Sequence, residues 1–123
     1  MAQQVNSRLR TVDVLLADTD PELAAIGPRA SAWMLRIAVE QAIGELWDAV
    51  SPAMRRVTVR AQLLVLPKYV GEEVAGEVRL LWSQLSSTTH HNDFELAPAL
   101  SELRRWQESV TRVTEAMGRV VAA

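Results

Sequence analysis

The stretch PRASAWMLRIAVEQAIGELWDAV, about Pro28 to Val50, decides the fold class. Trp33, Leu35, Ile37, Val39, Ala42, Leu46 and Ala49 cover much of a helical circumference, while Arg36, Glu40, Gly44 and Asp48 leave a narrow polar strip at steps of four. A helix this apolar is central to a bundle or shares a subunit interface. Gly27-Pro28 is expected to break the chain before it, after a possible turn at Pro21 to Ile26. That places Pro28 at the start of a helix, where its missing N–H costs least. Ser51-Pro52 closes the helix.

Working outward, Val5, Leu9, Val12 and Leu16 predict a short first helix that stops near Asp18-Thr19-Asp20-Pro21. Thr58 to Leu66 reads as a short connector helix ended by Pro67, with Leu63, Leu64 and Leu66 facing inward. The next helix, about Gly71 to Ser86, lines up Val70, Val74, Val78, Leu81 and Leu85. Glu72, Glu73 and Glu77 fill its first half, as the helix dipole favours. A polar segment, Ser86 to Asp93, precedes a last helix with the stripe Leu100, Leu103, Trp106, Val110, Val113 and Met117. Its tail from Gly118 is expected to fray. No alternating run suggests a strand. The expectation is a single all-α domain, residues 1–123 with a core at about 5–117: an antiparallel bundle of about four main helices plus a short connector.

The 123 residues leave room for one compact domain. Apolar residues at 49%, charged residues at 23%, 5 Gly and 5 Pro are ordinary globular usage and exclude a disordered or collagenous chain. A net charge of -2 lacks the footprint of a general nucleic-acid binder or a polybasic membrane anchor. With no Cys there are no disulfides or thiolate metal sites, which fits a reducing compartment. No apolar run approaches the ~18 residues of a membrane span, and Met1 to Arg10 is polar where a signal peptide needs an apolar run. A cytoplasmic location, no membrane and no small-molecule cofactor are therefore expected.

The remaining signals divide between packing and binding. Trp33, Trp47, Trp82 and Trp106 each lie on a long helix and read as core or interface. Arg105, Arg112 and Arg119 recur every seven residues, but Glu108 and Glu115 stand four before the last two, so a solvated face of ion pairs is expected. Arg55, Arg56, Arg60 and Lys68 form the only basic surplus without interleaved acids, a candidate for a phosphate or an acidic partner. His90, His91 and Asp93 are a poor metal set, because adjacent helical side chains diverge by about 100° and further zinc ligands are not evident. The scattered glycines make no phosphate loop, and Ser86, His90 and Glu95 lack any nucleophile-elbow motif.

The segment LSSTTHHNDFELAP, Leu85 to Pro98, resembles the signature of small actinobacterial HEPN-domain proteins, in which histidines near the end of the penultimate helix precede an aromatic residue, Glu-Leu and Pro. AWMLRIAVEQAIGELW, Ala32 to Trp47, is similar to that fold's long central helix, and Arg60-Ala61-Gln62-Leu63-Leu64 to its connector. The resemblance implies a dimeric helical bundle and, in many members, a metal-independent ribonuclease built on Arg, four residues, then His. There the imidazole moves a proton at the ribose 2′-hydroxyl and the guanidinium neutralises charge growing on the phosphate.

By the register of Leu85-Ser86 and Phe94-Glu95-Leu96, the family's Arg falls at Ser87 and its His at Asn92. Both catalytic types are missing. His90 and His91 lie two residues and one residue from the expected place, and only a loop conformation would rescue either. The resulting expectation is a catalytically degenerate HEPN-like binding protein, acting as a homodimer on a protein partner or RNA, with His90, His91, Asn92, Arg55, Arg56 and Arg60 as binding candidates. An active metal-independent ribonuclease using His90 or His91, with an Arg from Arg55 to Arg60 or from a second subunit, is one alternative. A structural subunit of a larger assembly is the other.

Overall fold

The computed structural model describes residues 2–17, 21–89 and 98–123. Helix α1 spans Ala2–Ala17 and α2 Pro21–Val50; a 3-10 turn follows at Pro52–Arg56, then α3 at Val59–Val65, α4 at Pro67–Val70, α5 at Glu72–Thr89 and α6 at Leu100–Ala122. The protein is all-α: no strand occurs among the described residues, and the bundle is helix packed on helix.

Helix α2 is the axis. α1, α5 and α6 each pack along it, which buries Ala32, Leu35, Ala38, Val39, Ala42, Ile43, Leu46 and Trp47. Three neighbours need apolar side chains on three sides, and that explains the near-absence of a polar face in this stretch. The neighbours need only one stripe each. α1 supplies Val5, Val12 and Leu16, α5 supplies Ala75, Val78, Leu81 and Leu85, and α6 supplies Leu103, Trp106, Val110, Val113 and Met117.

Side-chain contacts give the helix directions. Trp47, near the C-terminal end of α2, meets the Tyr69 ring of α4 edge-on, with centroids 5.5 Å apart. Further back along α2, Glu40 accepts a hydrogen bond from Trp82 Nε1 of α5 at 3.3 Å. α5 therefore runs antiparallel to α2. Gln84 accepts from Trp106 Nε1 at 3.1 Å while Glu77 pairs with Arg112, so α6 runs antiparallel to α5.

Four local expectations are corrected. Gly27-Pro28 does not break the chain, because α2 starts at Pro21 and passes through both. Gly27 is buried, and a Cβ there would stand 3.6 Å from the Leu15 carbonyl, an ordinary contact, so α1 packs directly over this point of α2. Proline's fixed φ is compatible with a helix, and its missing N–H forfeits one backbone bond. Leu64 does not face inward: it is 68% exposed, and buried Gln62 joins Leu63 and Leu66 on the inner side. The connector is not one helix but three pieces, the last of which turns into α5 through Gly71 at φ +88°, a conformation favouring glycine. Finally, α6 continues past Gly118 to Ala122, with Val120 packed against the core.

No helix among the described residues is long and apolar enough to cross a membrane. If α2 is the hub, Leu35→Ala, which empties a fully buried position, should lower unfolding stability by about 2–5 kcal/mol. Leu64→Ala on the outer face of α3 should change it by no more than about 0.5 kcal/mol. Urea unfolding followed by circular dichroism measures both, and similar losses would contradict this placement.

Candidate functional site

Of the residues singled out in Leu85 to Pro98, Ser87 is placed, whereas His90, His91 and Asn92 lie outside the described residues. Ser87 is exposed in the last turn of α5. The helical repeat sets it on one ridge with Gln84 and Leu80, and Leu80 is 58% exposed. Across from this ridge, α6 presents Glu102, Arg105 and Ser109, and the two helices enclose a shallow concavity floored by Leu81 and Trp106. Gln84 is fixed there by the Trp106 indole. Arg105 lines the concavity and has no ion-pair partner among the described residues. Its seven-residue repeat suggested a solvated face, and its place in the concavity follows only from the packing of α6 on α5.

The repeat behaves differently from expectation at its middle member too. Arg112 does not settle on Glu108 four residues back; it pairs with Glu77 of α5 and donates to Ser109 Oγ at 3.1 Å. The hydrogen bond from Arg112 to Glu77 raises the guanidinium's pKa. A cross-helix acid was available, and sequence spacing within α6 does not reveal it.

The basic connector is divided by its neighbours. Arg55 donates from Nε to Asp48 Oδ1 at 2.9 Å and from a terminal nitrogen to Oδ2 at 3.0 Å, a bidentate pair. Its guanidinium lies over Gly44: a Cβ there would sit 2.6 Å from Arg55 Cζ and 2.9 Å from a terminal nitrogen. Gly44 and Asp48, read as parts of a polar strip, thus form a seat for Arg55, and Arg55 is removed from the free binding candidates. Arg56, Arg60 and Lys68 remain exposed, with no carboxylate partner among the described residues. The Lys68 ammonium stands 5.6 Å from the Tyr69 ring centroid.

Arg55 to Arg60 and Ser87 are not brought together. α4 sits at the C-terminal end of α2, beside Trp47, and α5 then runs for 18 residues to Thr89, about 25 Å at the helical rise. Within the described part of one chain, the connector arginines and the Ser87 ridge are two separate surfaces.

The tryptophans divide three to one. Trp47 and Trp106 are buried, and Trp82 is half-buried against Glu40, which also accepts from Arg36 Nε at 2.9 Å. Trp33 is not part of this chain's core, at 56% exposed. No group of three metal-ligating side chains occurs among the described residues, a statement that does not reach the two histidines.

The donation from Arg55 holds the Asp48 carboxyl below its ordinary pKa, against a smaller opposing effect of desolvation. A depressed carboxyl pKa means that the pair stabilises the fold above the unfolded-state value of about 3.9 and loses this as pH falls through the folded value. Arg55→Gln should therefore raise the Asp48 titration midpoint toward the ordinary range. Gly44→Ala should do the same, since its Cβ displaces the guanidinium. Carboxyl carbon NMR shifts from pH 2 to 6 read this directly, and unchanged midpoints in both variants would contradict the pairing. No family model, curated protein or solved structure matches the chain.

Proposed function

We propose that this chain is a non-catalytic helical binding module of HEPN-like form, acting on a protein partner as a homodimer. The observation that carries the reading is the Ser87 ridge: where the resembled proteins require a guanidinium, α5 presents a neutral hydroxyl, with an exposed Leu80 two turns back on the same ridge. A serine hydroxyl carries no positive charge to neutralise that growing on a phosphate, and an exposed leucine near polar side chains is the makeup of a contact surface. A protein is favoured over RNA because Arg36, Arg55, Arg104 and Arg112 are engaged with carboxylates of the same chain. The net charge of -2 adds no general attraction for phosphate.

Arg105 favours a second reading. It lines the same concavity as Gln84, about a helical turn from the level of Ser87, and as a charge stabiliser it would serve a metal-independent ribonuclease whose proton carrier is His90 or His91. Cleavage of total RNA in excess chelator separates the two readings. The binding module predicts no cleavage above a buffer control, for the wild type and for His90→Ala/His91→Ala alike. Cleavage by the wild type that falls at least a hundredfold in either the histidine pair variant or Arg105→Ala would replace the proposal by the nuclease.

The homodimer finds its support at Trp33. The antiparallel run of α2 and α5 puts this exposed indole near the level of Thr89, at the bundle end where α5 finishes. A large aromatic side chain left in water is a typical anchor of an interface. Light scattering at micromolar concentration should give twice the chain mass for the wild type and the chain mass for Trp33→Glu. A wild-type monomer would refute the dimer.

A further inference from the structure

Residues 49–71 contain Arg55, Arg56, Arg60 and Lys68 and no Asp or Glu, a local charge of +4 in a chain whose total is -2. Asp48 neutralises Arg55, which leaves three exposed cations, Arg56, Arg60 and Lys68, in this stretch of chain. The same stretch carries exposed apolar side chains: Val57, Leu64 and Val65 are among the most exposed large hydrophobic residues of the described chain. On α3, Arg60 and Leu64 are one turn apart on the outer face.

The patch stands on a fixed backbone. Buried Gln62 donates from Nε2 to the Met54 and Val57 carbonyls, each at 3.0 Å, which ties the 3-10 turn to α3. Thr58 caps α3 by accepting from the Ala61 N–H at 3.2 Å. The 3-10 turn and α3 are therefore fixed to one another before any partner arrives, and less ordering entropy is lost on binding.

We propose that this connector face docks an acidic peptide segment of another protein, one that alternates Asp or Glu with aliphatic or aromatic residues. Charge complementarity gives the sign, and the exposed Leu64 and valines give the apolar anchors. Three cations are fewer than the cluster of four to eight that holds an anionic membrane surface. The apolar residues are aliphatic, whereas sequence-tolerant binding of single-stranded nucleic acid uses aromatic stacking. The inference goes beyond the Ser87 ridge and holds whichever reading of that ridge is right.

The test selects a random 16-residue peptide library displayed on phage against the full chain, then measures fluorescein-labelled selected peptides by anisotropy. Selected sequences should be enriched in acidic and apolar residues. Their Kd should rise at least tenfold for Arg56→Glu/Arg60→Glu and for Leu64→Ser, and no more than twofold for Arg10→Ala, an exposed arginine elsewhere on the surface. Circular dichroism confirms that each variant folds, as expected for exposed positions. No enrichment, enriched peptides without acidic residues, or peptides indifferent to both connector variants would overturn the proposal. So would self-association abolished by Arg56→Glu/Arg60→Glu, which makes a second copy the occupant, or a single-stranded RNA 20-mer or phosphatidylserine vesicles binding with the same residue dependence in place of the peptides.

Discussion

Burial of α2 on three sides is the constraint on which the rest of the structure depends. A helix with Leu35, Val39, Ile43, Leu46 and Trp47 fully or nearly fully out of water cannot lie on a surface, and each of α1, α5 and α6 is positioned by the sector of α2 that it covers. Burying one such side chain is worth about 1.5–3 kcal/mol. The ion pairs around the bundle are largely exposed and contribute much less, as surface pairs do. Side-chain hydrogen bonds between helices fix the register: Glu40 with Trp82, Gln84 with Trp106 and Asp13 with Gln107 each link a particular turn of one helix to a particular turn of another.

The same constraint separates the surfaces. Because α5 returns along α2, the chain enters it beside the connector and leaves it at the bundle's other end. The basic connector and the Ser87 ridge are consequently independent surfaces with different chemistry, the first cationic and aliphatic, the second mixed in charge around a groove.

The apolar stripes were legible in the sequence because burial on one side imposes a period, and the long helices follow from it. Details that depend on a neighbour were not. Gly27-Pro28 has the chemistry of a break, yet the helix passes through both and packs against Leu15 of α1 there. Leu64 reads as core by type, but the inner side of α3 is filled by Leu63, Leu66 and a glutamine that satisfies two carbonyls. Arg55 counted as part of a free basic cluster because its acid, Asp48, lies seven residues back across the Ser51-Pro52 turn, outside any helical pairing rule. At the candidate site, Ser87 follows from register alone, while Arg105 belongs to it only because α6 lies antiparallel to α5.

Native-state hydrogen exchange tests the organisation around α2 most directly, since it orders the helices by how much of the fold must open before their amides meet solvent. Amides of Leu35 to Trp47 should exchange slowest and only through global unfolding, with the buried halves of α5 and α6 next and α3 well before them. If α2 exchanged as fast as α3, or if α6 stayed protected after α2 had exchanged, the hub would lie elsewhere and the two surfaces would not be arranged as described.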